Sequence, residues 1–250
     1  MPTGAPATAL FTRWAFEMKV VFVGPTLPDP PQIDDIVFRP PAKLGDIRRA
    51  VDDGATAIGL IDGVYEQAAA VWHKEILFAL DQGVRVLGAA SMGALRAAEC
   101  APFGMEPIGT IALAYCSGAL DDDAAVALVH APAEFGSQAL TEPLVDVWAT
   151  IDNLRTLAIV AESEAGRLKA RAASIGFRLR TIDAIFAGHE NAKQLTEAYL
   201  THRIYAKRRD ALELLSAISF AKSNTYRASS QAQGDTVLWA QGRPRQAFNV

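Results

Sequence analysis

The stretch Val84-Arg85-Val86-Leu87-Gly88-Ala89-Ala90-Ser91-Met92-Gly93-Ala94-Leu95-Arg96-Ala97-Ala98-Glu99 reads as a short strand, a run of small residues and the opening of a helix. Val84 to Leu87 are mostly apolar and β-prone, whereas Ala94 to Glu99 are nearly all strong helix formers. Ser91 falls at the change. A serine between a buried strand and a helix start stands at the rim of a sheet, in the positive field of the helix N-terminus. Local pattern leaves two readings open. Ser91 caps the helix, or it is a nucleophile at a sharp strand-to-helix elbow. The spacing Gly88-x-x-Ser91-x-Gly93 differs from the hydrolase pattern Gly-x-Ser-x-Gly, so the spacing does not decide between them.

Outward from this stretch the chain alternates strand and helix. Val20 to Val23 predicts a strand ending at Gly24-Pro25, and residues 24–43, with Pro25, Pro28, Pro30, Pro31, Pro40 and Pro41, predict a loop-rich excursion. Leu44 to Asp53 predicts a helix closed by Gly54, and Thr56 to Ile61 a second buried strand ending in Asp62-Gly63. Glu66 to Gln82 predicts a long helix stopped by Gly83. Strand, helix and strand joined by short loops make a βαβ crossover and a parallel sheet. The expected fold is α/β, a parallel-sheet core followed by an α-helical C-terminal region. Pro102 to Pro107 reads as a turn, and Ile111 to Tyr115 as either helix or strand. Thr141-Glu142-Pro143 opens a helical pattern running to about Ala173, which resumes from Lys193 to Phe220. These suit two antiparallel helices packed on the sheet or exposed to a partner. The expected organisation is an N-terminal extension over 1–17 (disordered, or upstream of a natural start at Met18), a core over 18–150, a helical region over 151–222, and a polar, disordered tail over 223–250 in which Trp239 stands alone.

Composition narrows the class. Half of the 250 residues are hydrophobic and 21% are charged, ordinary for a soluble globular chain, and no apolar run reaches membrane-span length. Two cysteines, Cys100 and Cys116, without a CxxC or His/Cys cluster, argue against a disulfide framework or zinc site and for a reducing, cytoplasmic setting. Residues 1–150 carry 9 Lys/Arg against 19 Asp/Glu, and residues 151–250 carry 15 against 9. An asymmetry of this kind orients a partner protein. The basic half has few aromatics, no RNA-binding motif and acids among its bases, which argues against nucleic acid. Asp121-Asp122-Asp123 has no companion ligand cluster and reads as a loop or helix start, with no metal expected.

In an open parallel sheet, ligands collect beyond the carboxyl ends of the strands. That edge receives Gly24-Pro25-Thr26, Asp62-Gly63 and Ser91, none of them a nucleotide-binding fingerprint. Asp62 is either a hydrogen-bond acceptor that orients the site or a turn residue before Gly63. In the preceding helix, Lys74 has Ala70, Val71, Leu77 and Phe78 three and four positions away, all apolar. Such a lysine snorkels to the surface, or is desolvated, loses basicity and serves as a general base. His73, with Ala69, Ala70, Ile76 and Leu77 around it, reads as a packed histidine. Arg96 and Glu99 form a helix pair or hold a carboxylate.

The runs Val71-Trp72-His73-Lys74-Glu75-Ile76-Leu77 and Gly88 to Glu99 resemble the signature of the TfuA-like core domain. Phe22 to Leu27, Pro40-Pro41-Ala42-x-x-Gly45-Asp46, Asp62-Gly63 and Leu140-Thr141-Glu142-Pro143-Leu144-Val145 add to the likeness, which spans residues 20 to about 150. The resemblance implies an accessory role beside a YcaO-type enzyme in thioamidation of a ribosomal peptide or protein, with release of sulfide from a thiocarboxylated ThiS-like carrier. It also implies a Ser–Lys pair, for which Ser91 and Lys74 are the matching positions. No cofactor is expected. An oxyanion would then sit against the Met92 and Gly93 amides, with Gly93 allowing a close backbone approach and Gly24 and Asp62 beside the substrate. His73, Arg96 and Glu99 would support the pair. Two other classes stay open: a non-catalytic scaffold for the YcaO enzyme and its peptide, and a Clp-type serine protease. The second rests only on Ala89 to Ala94 and Val129-His130-Ala131-Pro132.

Overall fold

The structure, a computed structural model, describes residues 18–64, 68–135 and 138–220. The expected N-terminal extension, and the expected tail with Trp239, lie outside the described residues. Five strands form one parallel sheet: β1 (Lys19–Phe22), β2 (Ile36–Arg39), β3 (Ala57–Leu60), β4 (Arg85–Ala89) and β5 (Glu106–Ile108), in the order β2-β1-β3-β4-β5. The switch in order falls between β1 and β3, where an open α/β sheet forms a crevice beyond its strand ends.

Alternation along the strands divides the core in two. Val20, Phe22, Ile58, Leu60 and Val86 face α1 (Asp46–Asp52), α2 (His73–Asp81) and α3 (Met92–Cys100). Val21, Val23, Leu87 and Ala89 face the last described helix, α9 (Ala206–Ser219), through Ala211, Leu214, Leu215 and Ile218. The β1–β2 connection carries no helix, so this second face has no crossover helix of its own, and α9 returns from the C-terminal region to cover it. A Cβ at Gly59 would come within 2.7 Å of Leu214, so the bare strand there is what lets α9 lie close. The C-terminal region is therefore part of the sheet's packing. Between α3 and α9 stand α4 (Gly109–Ser117), α5 (Leu144–Thr156), α6 (Glu162–Ser174), α7 (Ile182–Phe186) and α8 (Ala192–Thr201), gathered around a further apolar cluster.

Several expectations are corrected. The excursion at 24–43 contains β2 and residues 102–107 run into β5, while 111–115, open between helix and strand, is helix α4. The pattern at 143–173 is two helices, broken where Ala158 takes φ 56°. The 193–220 pattern breaks at residues 202–205, held by Asn153 Nδ2 on the His202 carbonyl (2.9 Å) and by the Ile204 amide on Thr150 Oγ1 (2.9 Å). Of the helix expected over Glu66 to Gln82, Glu66 and Gln67 lie outside the described residues, residues 68–72 are not helical, and α2 begins at His73. The Ala69 carbonyl accepts from the Leu44 amide (2.8 Å) and the Val71 carbonyl from Arg96 Nε (2.9 Å), so these carbonyls serve other segments and not a helix. Asp122 caps a short 3₁₀ turn over 123–125, with its side chain accepting from the Ala124 amide. No described helix is long and apolar enough to cross a membrane.

Candidate functional site

The elbow after β4 is built on strain. Ala90 takes φ 66°, an uncommon region for a side chain larger than glycine, and the Ser91 amide donates across it to the Ala89 carbonyl at 2.7 Å. This tight turn costs on the order of 1–3 kcal/mol and persists because buried Ala89 and Ala90 leave it no room to relax. Ser91 is the N-cap residue of α3 by position, yet its side chain makes no cap hydrogen bond. The cap role is not what the hydroxyl does here.

Ser91 lines a cavity of about 500 Å³ at the strand ends, together with Pro25, Asp62, Gly63, His130 and Lys207. This is the crevice at the β1/β3 switch. Two backbone amides, that of Gly63 on the lining and that of Met92, the residue after Ser91, have no protein acceptor among the described residues. Gly63 packs directly on Met92, where an added Cβ would lie 2.6 Å from the Met92 side chain. Free amides beside a hydroxyl at a helix start are the donors an oxyanion needs.

Asp62 is 2% exposed and already engaged. It accepts from the Gly24 amide (2.8 Å), the Thr26 amide (3.0 Å) and Thr26 Oγ1 (2.5 Å), tying the turn after β1 to the end of β3. Gly24 likewise spends its amide on Asp62, and a Cβ there would sit 2.4 Å from Pro41. Gly93 donates to the Ile61 carbonyl at 3.1 Å, and an added Cβ would fall 1.7 Å from the Leu60 carbonyl oxygen. The closeness that Gly93 permits is thus between α3 and β3, and its amide is not free.

Lys74 is exposed at the start of α2, its ammonium 5.2 Å from the Trp72 ring centroid, and it is not among the cavity-lining residues. Its neighbour His73 bonds Glu99 at 2.8 Å, and Arg96 reaches both Glu99 (2.5 Å) and the Val71 carbonyl. Burial works against ionisation of Glu99, but the His73 and Arg96 bonds outweigh it and hold the carboxyl below its ordinary value. Glu99 lies eight residues beyond Ser91, ~12 Å along the helix axis. The start of α2 therefore braces the far half of α3.

The cavity holds two groups that periodicity did not single out as bases. His130 places Nδ1 2.8 Å from the Ala131 carbonyl, which fits a proton on Nδ1 and an accepting Nε2. Lys207, in the first turn of α9, is 3% exposed and donates from Nζ to the Val126 carbonyl at 2.8 Å. Burial lowers its pKa, against the pull of Asp62 and Asp146. The Lys207 amide is capped by Asp146 Oδ1 (2.9 Å), whose carboxyl burial raises to about 6 despite that bond and the neighbouring cations. A lysine amid basic helical sequence gives no local sign of burial; the signal is the apolar spacing Ala211, Leu214, Leu215, Ile218 that turns α9 onto the sheet.

Residues 62–181 match the model of a family described as TfuA-like protein. No curated protein matches the chain. The match takes in Asp62, the α2 start, the elbow and His130; the Phe22–Leu27 and Pro40–Asp46 stretches, and Lys207, fall outside it.

Proposed function

The chain carries a TfuA-like domain, and from that premise we propose that it is an accessory hydrolase that frees sulfide from a thiocarboxylated ThiS-like carrier beside a YcaO-type enzyme. The family's association with YcaO enzymes in thioamidation supports the coarser part of this reading. The observation that carries the finer part is Ser91: a hydroxyl released from capping duty, on a strained elbow, facing a cavity next to unpaired amides.

In this reading the thiocarboxylate end of the carrier enters the cavity and its carbonyl oxygen meets the Met92 and Gly63 amides. Ser91 Oγ loses its proton to a base and bonds the carbonyl carbon. The base hands that proton to sulfur, the C–S bond breaks, and hydrosulfide leaves. Water then adds to the ester carbon, its proton returns to Ser91 Oγ, and the carrier departs as a carboxylate. No redox step or cofactor enters.

The test is mass spectrometry of a thiocarboxylated ThiS-like protein incubated with wild type and Ser91→Ala. Wild type should convert thiocarboxylate to carboxylate, and the variant should be slower by at least about 100-fold. Equal rates would leave the chain as a scaffold for the YcaO enzyme and its peptide.

A further inference from the structure

The direction of α9 determines which lysine lines the same cavity as Ser91. Its last turn is pinned at the strand starts, where Lys19 Nζ donates to the Ser219 carbonyl (3.0 Å) and Arg85 to the Ala217 carbonyl (3.3 Å). The helix runs antiparallel to the strands, so its first turn arrives at the carboxyl edge of the sheet. Asp146 holds that turn from α5, and Arg208 pairs with Asp29 from the loop after β1 (2.6 Å). The side chain so placed is Lys207, on the wall that Ser91 also lines. Among the described residues the Val126 carbonyl is the one hydrogen-bond acceptor of its Nζ, which leaves that nitrogen with further hydrogen-bonding capacity.

We infer that Lys207, and not Lys74, carries the proton between Ser91 and the departing sulfur. The inference rests on the hydrolase reading above. Neutral Lys207 takes the Ser91 hydroxyl proton as Oγ bonds carbon, becomes an ammonium, and gives the same proton to sulfur as the C–S bond breaks. In the second half it accepts a proton from water and returns it to Oγ, while the product acid ionises. Burial favours the neutral amine that the first step needs, and Asp62 and Asp146 favour the ammonium that forms. Arg178 and His130 are the other basic groups on this wall. His130 is the rival base within the cavity, and Lys74 the rival outside it.

The test measures hydrosulfide release from a thiocarboxylated ThiS-like protein in a single turnover. Ser91→Ala, Lys207→Arg, Lys207→Ala, Lys74→Ala and His130→Ala are compared after circular dichroism has checked their folding. Arginine keeps charge and length but cannot act as a base. Lys207→Arg is expected to lose about 100-fold or more. Methylamine is expected to restore part of the loss in Lys207→Ala, in proportion to its unprotonated fraction. Should Lys207→Ala not fold, Lys207→Arg decides alone. Activity retained in Lys207→Arg overturns the inference, as does a folded Lys207→Ala that amines do not rescue. A loss confined to Lys74→Ala or His130→Ala also overturns it. If Ser91→Ala still releases hydrosulfide, the hydrolase reading itself fails; if Ser91→Ala is dead and Lys207→Arg active, only the role of Lys207 fails.

Discussion

Lys74 and Lys207 are each the second residue of a helix, α2 and α9, and their surroundings are opposite. At the start of α2 the polar groups are paired with one another: Glu75 takes the Gly45 and Trp72 amides, Glu99 takes His73 and Arg96, and Lys74 lies in solvent over Trp72. At the start of α9 a lysine is shut against the end of the sheet, its Nζ on the Val126 carbonyl and within the field of Asp62 and Asp146. The difference teaches that position within a helix says little about chemistry. What matters is which part of the sheet the helix start meets. The first turn of α2 meets the flank of α3, eight residues past the elbow, while the first turn of α9 meets the elbow's own cavity.

The comparison can be broken or sharpened by four substitutions. The largest effect is expected from Gly93→Ala, since α3 serves both regions and the new Cβ would overlap the Leu60 carbonyl. A loss of about 3 kcal/mol or more is expected, read from the urea midpoint. A change under about 1 kcal/mol would mean that α3 is not seated on β3 as described. Asp146→Asn comes next and bears on the α9 side alone. Its folded pKa, about 6, lies above the ordinary 3.8, so protonation favours the native state. The stability it contributes is present at low pH and is lost as pH rises through that interval, by up to roughly 3 kcal/mol. Asparagine removes that loss, so the variant should gain on wild type between pH 4 and pH 7 in paired urea titrations; parallel curves would contradict it. Ala90→Gly relieves φ 66° and should raise stability by about 1 kcal/mol, while loosening the elbow that aims Ser91. A thermal melt that falls would show that Ala90 is not strained. Glu99→Gln, on the α2 side, should cost under about 1 kcal/mol and leave hydrosulfide release intact, because Glu99 itself and its partner His73 are half-exposed.

How much of this was legible in the sequence follows the same division. Val20 to Val23, Thr56 to Ile61 and Val84 to Leu87 are apolar runs because β1, β3 and β4 are covered on both faces, and a strand of that kind is visible in one dimension. The edge strands β2 and β5 are partly exposed, and Pro107 stands within the second, so their sequence resembles loop. The elbow was legible as small residues before a helix, but the idle Ser91 hydroxyl and the φ of Ala90 were not, because they depend on the packing around them. Residues 68–70 are good helix formers that stand before α2, and long-range bonds from Leu44 and Arg96 claim the Ala69 and Val71 carbonyls instead. Lys207 could not be read locally. Its importance arises from the return of α9 across the sheet, a contact between residues more than 100 positions apart.

The most direct measurement asks whether Ser91 is an activated nucleophile at all. A fluorophosphonate, which bonds serine oxygens that a base activates, is incubated with the intact chain and the product is mapped by peptide mass spectrometry. A single adduct on Ser91, absent from Ser91→Ala and much slower to form in Lys207→Arg, is the predicted result. A chain that stays unmodified, or an adduct on another serine, would contradict the assignment of this cavity as a reactive site.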